Sequence, residues 1–332
     1  MDSQLQVQTD RATWDGYVGS QQWGHPLQLW GWGEAKSGNG WSAHRLALVN
    51  EAGEWQAAAQ VLLWPIPKLG RFIAYVPRGP VAEPGSSEAR KVLNALAKWA
   101  REHQALYLRI EPAWKSGKPG KGWVKAKHHL QMAETFTIDL RKSEDELQAP
   151  MSRKHRQYIR KAERDGVTVE VSHDTGPMYG LYALTAARAG FGIHDRAYYE
   201  KLAAELGKNS ILYYARFEDR PVAFLWLAVA GRTVYELYGG VNGEGGDLKA
   251  NYWLKWRAIM DMKAAGLEIY DFNGRLNEGV SRFKDGFGPD ETDWIGTYDF
   301  PINRVGYQVW EQLWPVAKPL GRRLARVLRG SK

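Results

Sequence analysis

Apolar and polar positions alternate in short stretches over most of the chain, and they predict strands and helices in mixed order. Residues 41–50 and 54–64 read as two strands joined by a turn at Glu51-Ala52-Gly53. Residues 71–76 make another strand, stopped by the turn Pro77-Arg78-Gly79-Pro80. From residue 86 to 104 the apolar positions Val92, Leu93, Leu96, Ala97, Trp99 and Ala100 recur at helical spacing, with Ser86 or Ser87 as cap. Residues 105–110 form a buried strand that ends at Pro112, residues 115–127 a loop rich in Lys and Gly, and residues 136–140 a strand. Ser143-Glu144-Asp145-Glu146 opens a helix whose acidic first turn suits the macrodipole.

After Pro150 the order repeats in outline. A basic helix at 153–164 leads into a strand at 167–172, then helices at 177–189 and 197–205. Strands follow at 210–218, 221–230 and 232–238, then a helix at 249–265 and a strand at 268–273. Each half reads as strand pair, helix, strand, loop, which suggests a duplication at the level of element order. The last segment alternates Val309, Trp310, Leu313, Val316, Leu320, Leu324, Val327 and Leu328 with arginines, broken by Pro315 and Pro319. It either closes onto the body or lies on an anionic membrane surface.

Composition narrows the class. The 332 residues, 44% of them hydrophobic and 12% aromatic, suffice for one large or two medium cores. Sixteen tryptophans can bury large surfaces or stack on sugars and bases. No apolar run reaches bilayer-spanning length, and the opening MDSQLQVQTD lacks the pattern of a signal peptide, so a cytoplasmic protein is expected. Without cysteine there is no disulfide and no thiolate nucleophile. The net charge of +8 is concentrated. Residues 301–332 carry seven Lys and Arg against Glu311 alone, and residues 151–166 carry six against Glu163 and Asp165. Such blocks are either solvated faces or attractors of polyanions: nucleic acid, nucleotide diphosphates or anionic membrane.

Most catalytic signatures are missing. The histidines have no metal-ligand spacing, no G-x-S-x-G or phosphate-binding loop occurs, and no metal or cofactor is expected. The stretch Asn242-Gly243-Glu244-Gly245-Gly246 precedes a helix but lacks the form of an acyl-CoA pyrophosphate loop. Residues 270–288 are the most informative. They hold Lys284 in the run Phe283-Lys284-Asp285-Gly286-Phe287-Gly288. Taken by itself this is either a surface turn with a solvated lysine or a shielded cation able to stabilise developing negative charge. On the second reading the two phenylalanines clamp the lysine, and the glycines leave room for a ligand terminus.

Five blocks in register carry a resemblance. Gln28, Trp32, Gly33 and Lys36, the run from Tyr75 to Val81 (YVPRGPV), the segment from residue 153 to 169, Tyr270-Asp271-Phe272-Asn273-Gly274 and Phe283-Lys284-Asp285-Gly286-Phe287-Gly288 resemble successive motifs of the FemX/FemAB peptidyltransferases. The likeness runs from about residue 28 to 288. It implies an α/β chain of mixed sheets made of two tandem acetyltransferase-like (GNAT-like) domains, without the long coiled-coil insertion of some members. The expected division is residues 1–147 for the acceptor-binding domain, completed by 300–332, and 148–299 for the domain with the lysine segment.

The resemblance also implies an activity: transfer of an amino acid from aminoacyl-tRNA to a peptidoglycan precursor, lipid- or nucleotide-linked. Lys284 matches the catalytic, charge-stabilising lysine, and Lys36 the lysine that contacts the acceptor's phosphates. Arg188, with Arg196 in reserve, is the partner arginine, and Tyr75 and Tyr235 line the peptide channel. Arg78 and Phe283 complete the substrate-binding set. Relatives often carry an aspartate shortly after the Arg-Gly-Pro motif, where this chain has Val81-Ala82-Glu83, so a carboxylate base there is in doubt. The expected partners are the charged tRNA, the precursor and, through 301–332, the inner membrane surface, with the protein a monomer. Two other readings stay open: an acyl-CoA-dependent N-acyltransferase on the same fold, and a non-catalytic RNA- or membrane-binding protein.

Overall fold

A computed structural model describes residues 3–275 and 278–312. The chain opens with β1 (Gln4–Val7), α1 (Arg11–Ser20) and α2 (Trp30–Ser37). It then makes a meander of β2 (Ser42–Val49), β3 (Trp55–Ile66) and β4 (Arg71–Arg78). The helix α3 (Ser87–Glu102) crosses over to β5 (Ala105–Pro112), which lies parallel to β4, and β6 (Val124–Lys125) follows. The second half runs β7 (Glu134–Asp139), α4 (Glu144–Gln148), α5 (Arg153–Arg164), β8 (Thr168–Ser172), α6 (Gly176–Ala189) and α7 (Arg196–Leu206). Its meander is β9 (Ser210–Phe217), β10 (Arg220–Ala230) and β11 (Thr233–Val241). The short α8 (Gly243–Asp247) and long α9 (Ala250–Ala264) cross to β12 (Ile269–Asp271), which is parallel to β11. α10 (Glu278–Asp285), β13 (Asp290–Asp293) and β14 (Tyr298–Pro301) follow, and helical residues 304–312 end the described chain.

Two seven-stranded sheets result, in the orders β1-β2-β3-β4-β5-β14-β6 and β13-β7-β12-β11-β10-β9-β8. Both contain the same path: three antiparallel strands, a helical crossover and one parallel strand. The strand β5 is buried along its whole length, as a central strand covered on both faces must be. α3 starts at the Ser86 cap and presses its apolar stripe onto the first sheet with Val61, Val76, Leu108 and Trp114. Tyr307 and Trp310, from helical residues 304–312, pack on a second cluster of Ile66, Ile73 and Tyr107.

The second sheet has a core of its own against α5 and α9, including Phe136, Ile159, Leu254, Tyr270, Phe272 and Phe287. A third core joins the halves. Trp14, Trp32, Ala58 and Val81 from the first half are buried with Tyr198, Tyr199, Leu202 and Trp226 from the second. α2 packs so tightly on α7 that a Cβ on Gly31 would overlap the Glu205 carbonyl oxygen.

Two sequence expectations change. The strand expected at 136–140, placed in the first domain by a boundary at 147/148, spans 134–139 and pairs with β12 and β13 in the second sheet, so the sheets divide between β6 and β7. α2 holds Gly31 and Gly33, poor helix formers by themselves, because close packing on both sides demands them. Lys284 lies in the last turn of α10 rather than in a loop. Of the basic tail, 313–332 lies outside the described residues, and among the described ones no helix is long and apolar enough to cross a membrane.

Candidate functional site

The turn after β12 organises the site. Asp271 ends that strand with a buried carboxylate, whose Oδ1 accepts from the Thr135 hydroxyl and the Asn273 amide, each at 2.6 Å. The Thr135 oxygen also accepts from the Gly274 amide at 2.9 Å. Asn273 takes the left-handed conformation, φ 53°, which asparagine tolerates, and its side chain donates to the Glu236 carbonyl at 2.8 Å. The carbonyls of Phe272 and Gly274 are thereby fixed. Lys284 Nζ donates to them at 2.7 and 2.8 Å.

An ammonium has three N–H donors, and among the described residues Lys284 spends two, which leaves one for a ligand. Lys284 is 6% exposed, and burial pushes its pKa down to about 8. Glu236 and Asp271 work against that fall, and Lys255 adds to it. At neutral pH the cation is kept. Behind it lies a buried ion pair, Lys255 with Glu236, whose Oε1 also accepts from the Tyr270 hydroxyl at 2.7 Å. The Lys255 ammonium sits 4.9 Å from the Phe272 ring centre and 5.1 Å from that of Phe283.

Phe283 is half-buried and meets Phe287 edge-on at 5.5 Å. The glycines around it do not leave room for a ligand, contrary to expectation. A Cβ on Gly286 would overlap the His155 ring, and one on Gly288 would meet Pro150. They exist so that α5 can dock on the end of α10, where a His155 ring nitrogen lies 2.9 Å from the Phe283 carbonyl.

The first half supplies the facing wall. Arg78, at the end of β4, is buried, donates to the Met132 carbonyl at 2.8 Å and lies 5.7 Å from the Trp294 ring. Burial raises the Asp271 pKa, while the Thr135 and Asn273 hydrogen bonds and the charges of Arg78 and Lys284 oppose the rise. These two cations therefore bracket one carboxylate. Tyr75 donates to Glu111, which also accepts from the Leu130 and Gln131 amides and the Thr297 hydroxyl. One carboxylate thus ties the connection between the sheets to the end of β5. Tyr235 packs on His25 at 4.2 Å and reaches the Gly24 carbonyl at 3.3 Å. Burial and the Arg78 charge keep that histidine neutral.

Lys36 marks a second position, at the end of α2. Its ammonium lies 5.0 Å from the ring centres of both Trp32 and Tyr198, and burial pushes its pKa down to about 8. Arg188 and Arg196 are both exposed and have contacts of their own: Arg188 with the Val241 carbonyl at 3.4 Å, Arg196 with Glu200 at 2.6 Å. Glu83, where relatives often have aspartate, is exposed. The structure thus gathers Lys284, Arg78, Tyr75 and Tyr235 around the junction of the sheets, keeps Phe283 among His155, Tyr252 and Phe287 of the second half, and holds Lys36 on its own platform. Asp271, Glu236, Lys255 and Thr135 escaped the sequence reading. Asp271 stood inside a motif already singled out, but the other three gain meaning only from partners distant in sequence.

Comparison with known proteins bears on the fold and the family. Residues 9–137 match the FemAB family, and residues 150–285 match an acetyltransferase (GNAT) domain. The lipid II:glycine glycyltransferase of Staphylococcus aureus (strain USA300) is 26% identical, over 95% of this chain and 97% of its own. That alignment runs to 415 positions, more than the 332 residues here, so the relative carries residues this chain lacks. Among solved structures, FemX superposes with a TM-score of 0.84 at 22% identity, covering 94% of this chain and 100% of FemX. A tandem GNAT protein from the clavulanic acid pathway gives 0.53 at 11% identity, over 90% and 99% of the two chains. The fold is therefore two GNAT-like units in tandem.

Proposed function

For a chain whose residues 9–137 match the FemAB family, we propose the transfer of an amino acid from aminoacyl-tRNA to the stem-peptide amine of a peptidoglycan precursor. The observation that carries this reading is the Lys284 ammonium, fixed by two backbone carbonyls with one N–H unspent among the described residues, next to an Asp271 that Arg78 of the first half also faces. The ester that joins an amino acid to RNA is already activated, so aminolysis needs position and charge stabilisation more than a protein nucleophile.

The acceptor amine attacks the ester carbonyl carbon, and the carbonyl oxygen takes up negative charge that the third Lys284 N–H receives. The carbon–oxygen bond to the ribose then breaks, and the proton lost by the amine ends on the departing ribose hydroxyl. Asp271 and Thr135 position Lys284 by fixing the turn whose carbonyls hold it. Lys36, with Arg188, takes the phosphates of the acceptor. Tyr75, Tyr235 and Arg78 shape the channel for its peptide. The relative's name, lipid II:glycine glycyltransferase, favours a lipid-linked acceptor and an interpeptide bridge as the product.

The test is transfer in vitro from a mixed pool of charged tRNAs to lipid-linked and nucleotide-linked precursor, with products weighed by mass spectrometry. A mass increment of one or more amino acids on either precursor is expected. No increment on either would overturn the reading.

A further inference from the structure

The first turn of α5 and the start of α9 form a surface with no part in the contacts of Lys36 or Lys284. Lys154 and Lys249 each hold an ammonium 5.5 Å from the centre of the same ring, that of Tyr158. Tyr158 meets Tyr252 edge-on at 5.0 Å, and Tyr252 meets Phe283 at 4.9 Å. Three rings therefore run inward from the surface to the residue before Lys284. The base of this ladder is rigid: the Ser152 amide donates to the Gly286 carbonyl at 3.0 Å, and the His155 ring contacts Tyr252 at 4.8 Å.

Lys249 takes the left-handed conformation with φ 62°, which lysine adopts at a cost, and from there its ammonium reaches Tyr158 and the Gly246 carbonyl.

We infer that this face receives the unpaired 3′ end of the donor RNA, one base stacking on Tyr158 while its phosphates take Lys154 and Lys249. The inference rests on aminoacyl-tRNA being the donor. In the free protein the two ammoniums rest against the electron-rich ring, a contact weak enough to exchange for phosphate. A nucleotide offers both partners at once: a phosphate for the cations and a flat base for the ring they leave. A lipid surface fits less well, because none of the large apolar side chains exposed among the described residues lies on α5 or α9. A duplex would need the cations but not the ring.

Full-length protein titrated with fluorescein-labelled RNA decides the matter. One probe is a hairpin with four unpaired nucleotides at its 3′ end; the other is the same hairpin cut blunt. The overhang should bind at least ~10-fold more tightly, and Tyr158→Ala should remove about that factor while Tyr158→Phe keeps it. The pair Lys154→Gln and Lys249→Asn, with asparagine chosen because it tolerates the left-handed backbone, should lower the salt dependence of binding by about one to two phosphate contacts. Equal affinity for both hairpins, or an unchanged salt slope in the lysine pair, sinks the inference. So does loss of binding to phosphatidylglycerol vesicles with RNA binding intact. The hairpins are uncharged, so binding through Tyr158 in a protein that transfers nothing supports this surface and removes the transfer reading. Normal transfer with patch variants that bind RNA like the wild type does the reverse.

Discussion

Arg109 and Asp299, 190 residues apart in the chain, form a two-pronged ion pair with both bonds at 2.8 Å and both side chains buried. The Tyr307 hydroxyl completes it at 2.9 Å, and Glu311 lies 3.4 Å from the same guanidinium. This pair fastens the returning strand β14 to β5. Asp299→Asn leaves a buried guanidinium with only part of its compensation, and removing one partner of such a pair costs about 3–5 kcal/mol. Urea unfolding followed by tryptophan fluorescence should show a loss of that size, and a loss below about 1 kcal/mol would mean that β14 is held by its backbone alone.

Lys284→Met removes the cation proposed for the oxyanion. Loss of one such donor typically costs about 10²–10³ in kcat, so turnover should fall by that factor while calorimetry shows the precursor still bound. In the wild type, kcat should decline as pH rises through about 8, because the ammonium becomes neutral there. Lys284→Arg stays charged and should lose that alkaline limb, whatever its maximal rate.

Lys255 pushes the Lys284 pKa down, and Glu236 pushes it up. Lys255→Met removes the first influence and frees the second from its partner, so both changes act in the same direction. The alkaline limb should move to higher pH, a shift that a purely structural role for Lys255 does not produce. The same variant strands Glu236 in the interior and should be less stable by roughly 3 kcal/mol. A pH–rate profile at a temperature where the variant is folded separates the two effects.

Lys36 rests on the rings of Trp32 and Tyr198 rather than on the turn that holds Lys284, and its proposed role is in binding. Lys36→Met should raise KM for the precursor ~10–100-fold, the value of one charge-assisted contact, with kcat nearly unchanged. Arg188→Gln should add less in that background than in the wild type if both touch the same phosphates. Arg196→Gln, whose guanidinium is already taken by Glu200, should change neither constant.

Elements set by local pattern were legible in the sequence. The helix at 153–164, the strands of both meanders and the stripe of α3 with its Ser86 cap follow from spacing and end signals. Partners that come from elsewhere in the chain were not legible. Nothing within residues 134–139 says that they pair with 269–271 rather than with the first sheet. Gly286 looked like space for a substrate because its occupant, His155, is over a hundred residues away. Lys284 stood out for its neighbours in sequence, but its chemistry comes from Phe272 and Gly274 across a turn and from Glu236 on another strand.

The place of β14 between β5 and β6 has a consequence for how the molecule is made. During synthesis, residues 1–126 emerge with the edge of β5 unpaired, and the strand that covers it leaves the ribosome only after the whole second sheet. The first sheet is thus begun first and finished last. A truncation before residue 298 leaves the buried strand β5 with an unpaired edge and Arg109 without Asp299, the kind of edge that pairs with other chains, so the first half depends on a strand that comes after the second.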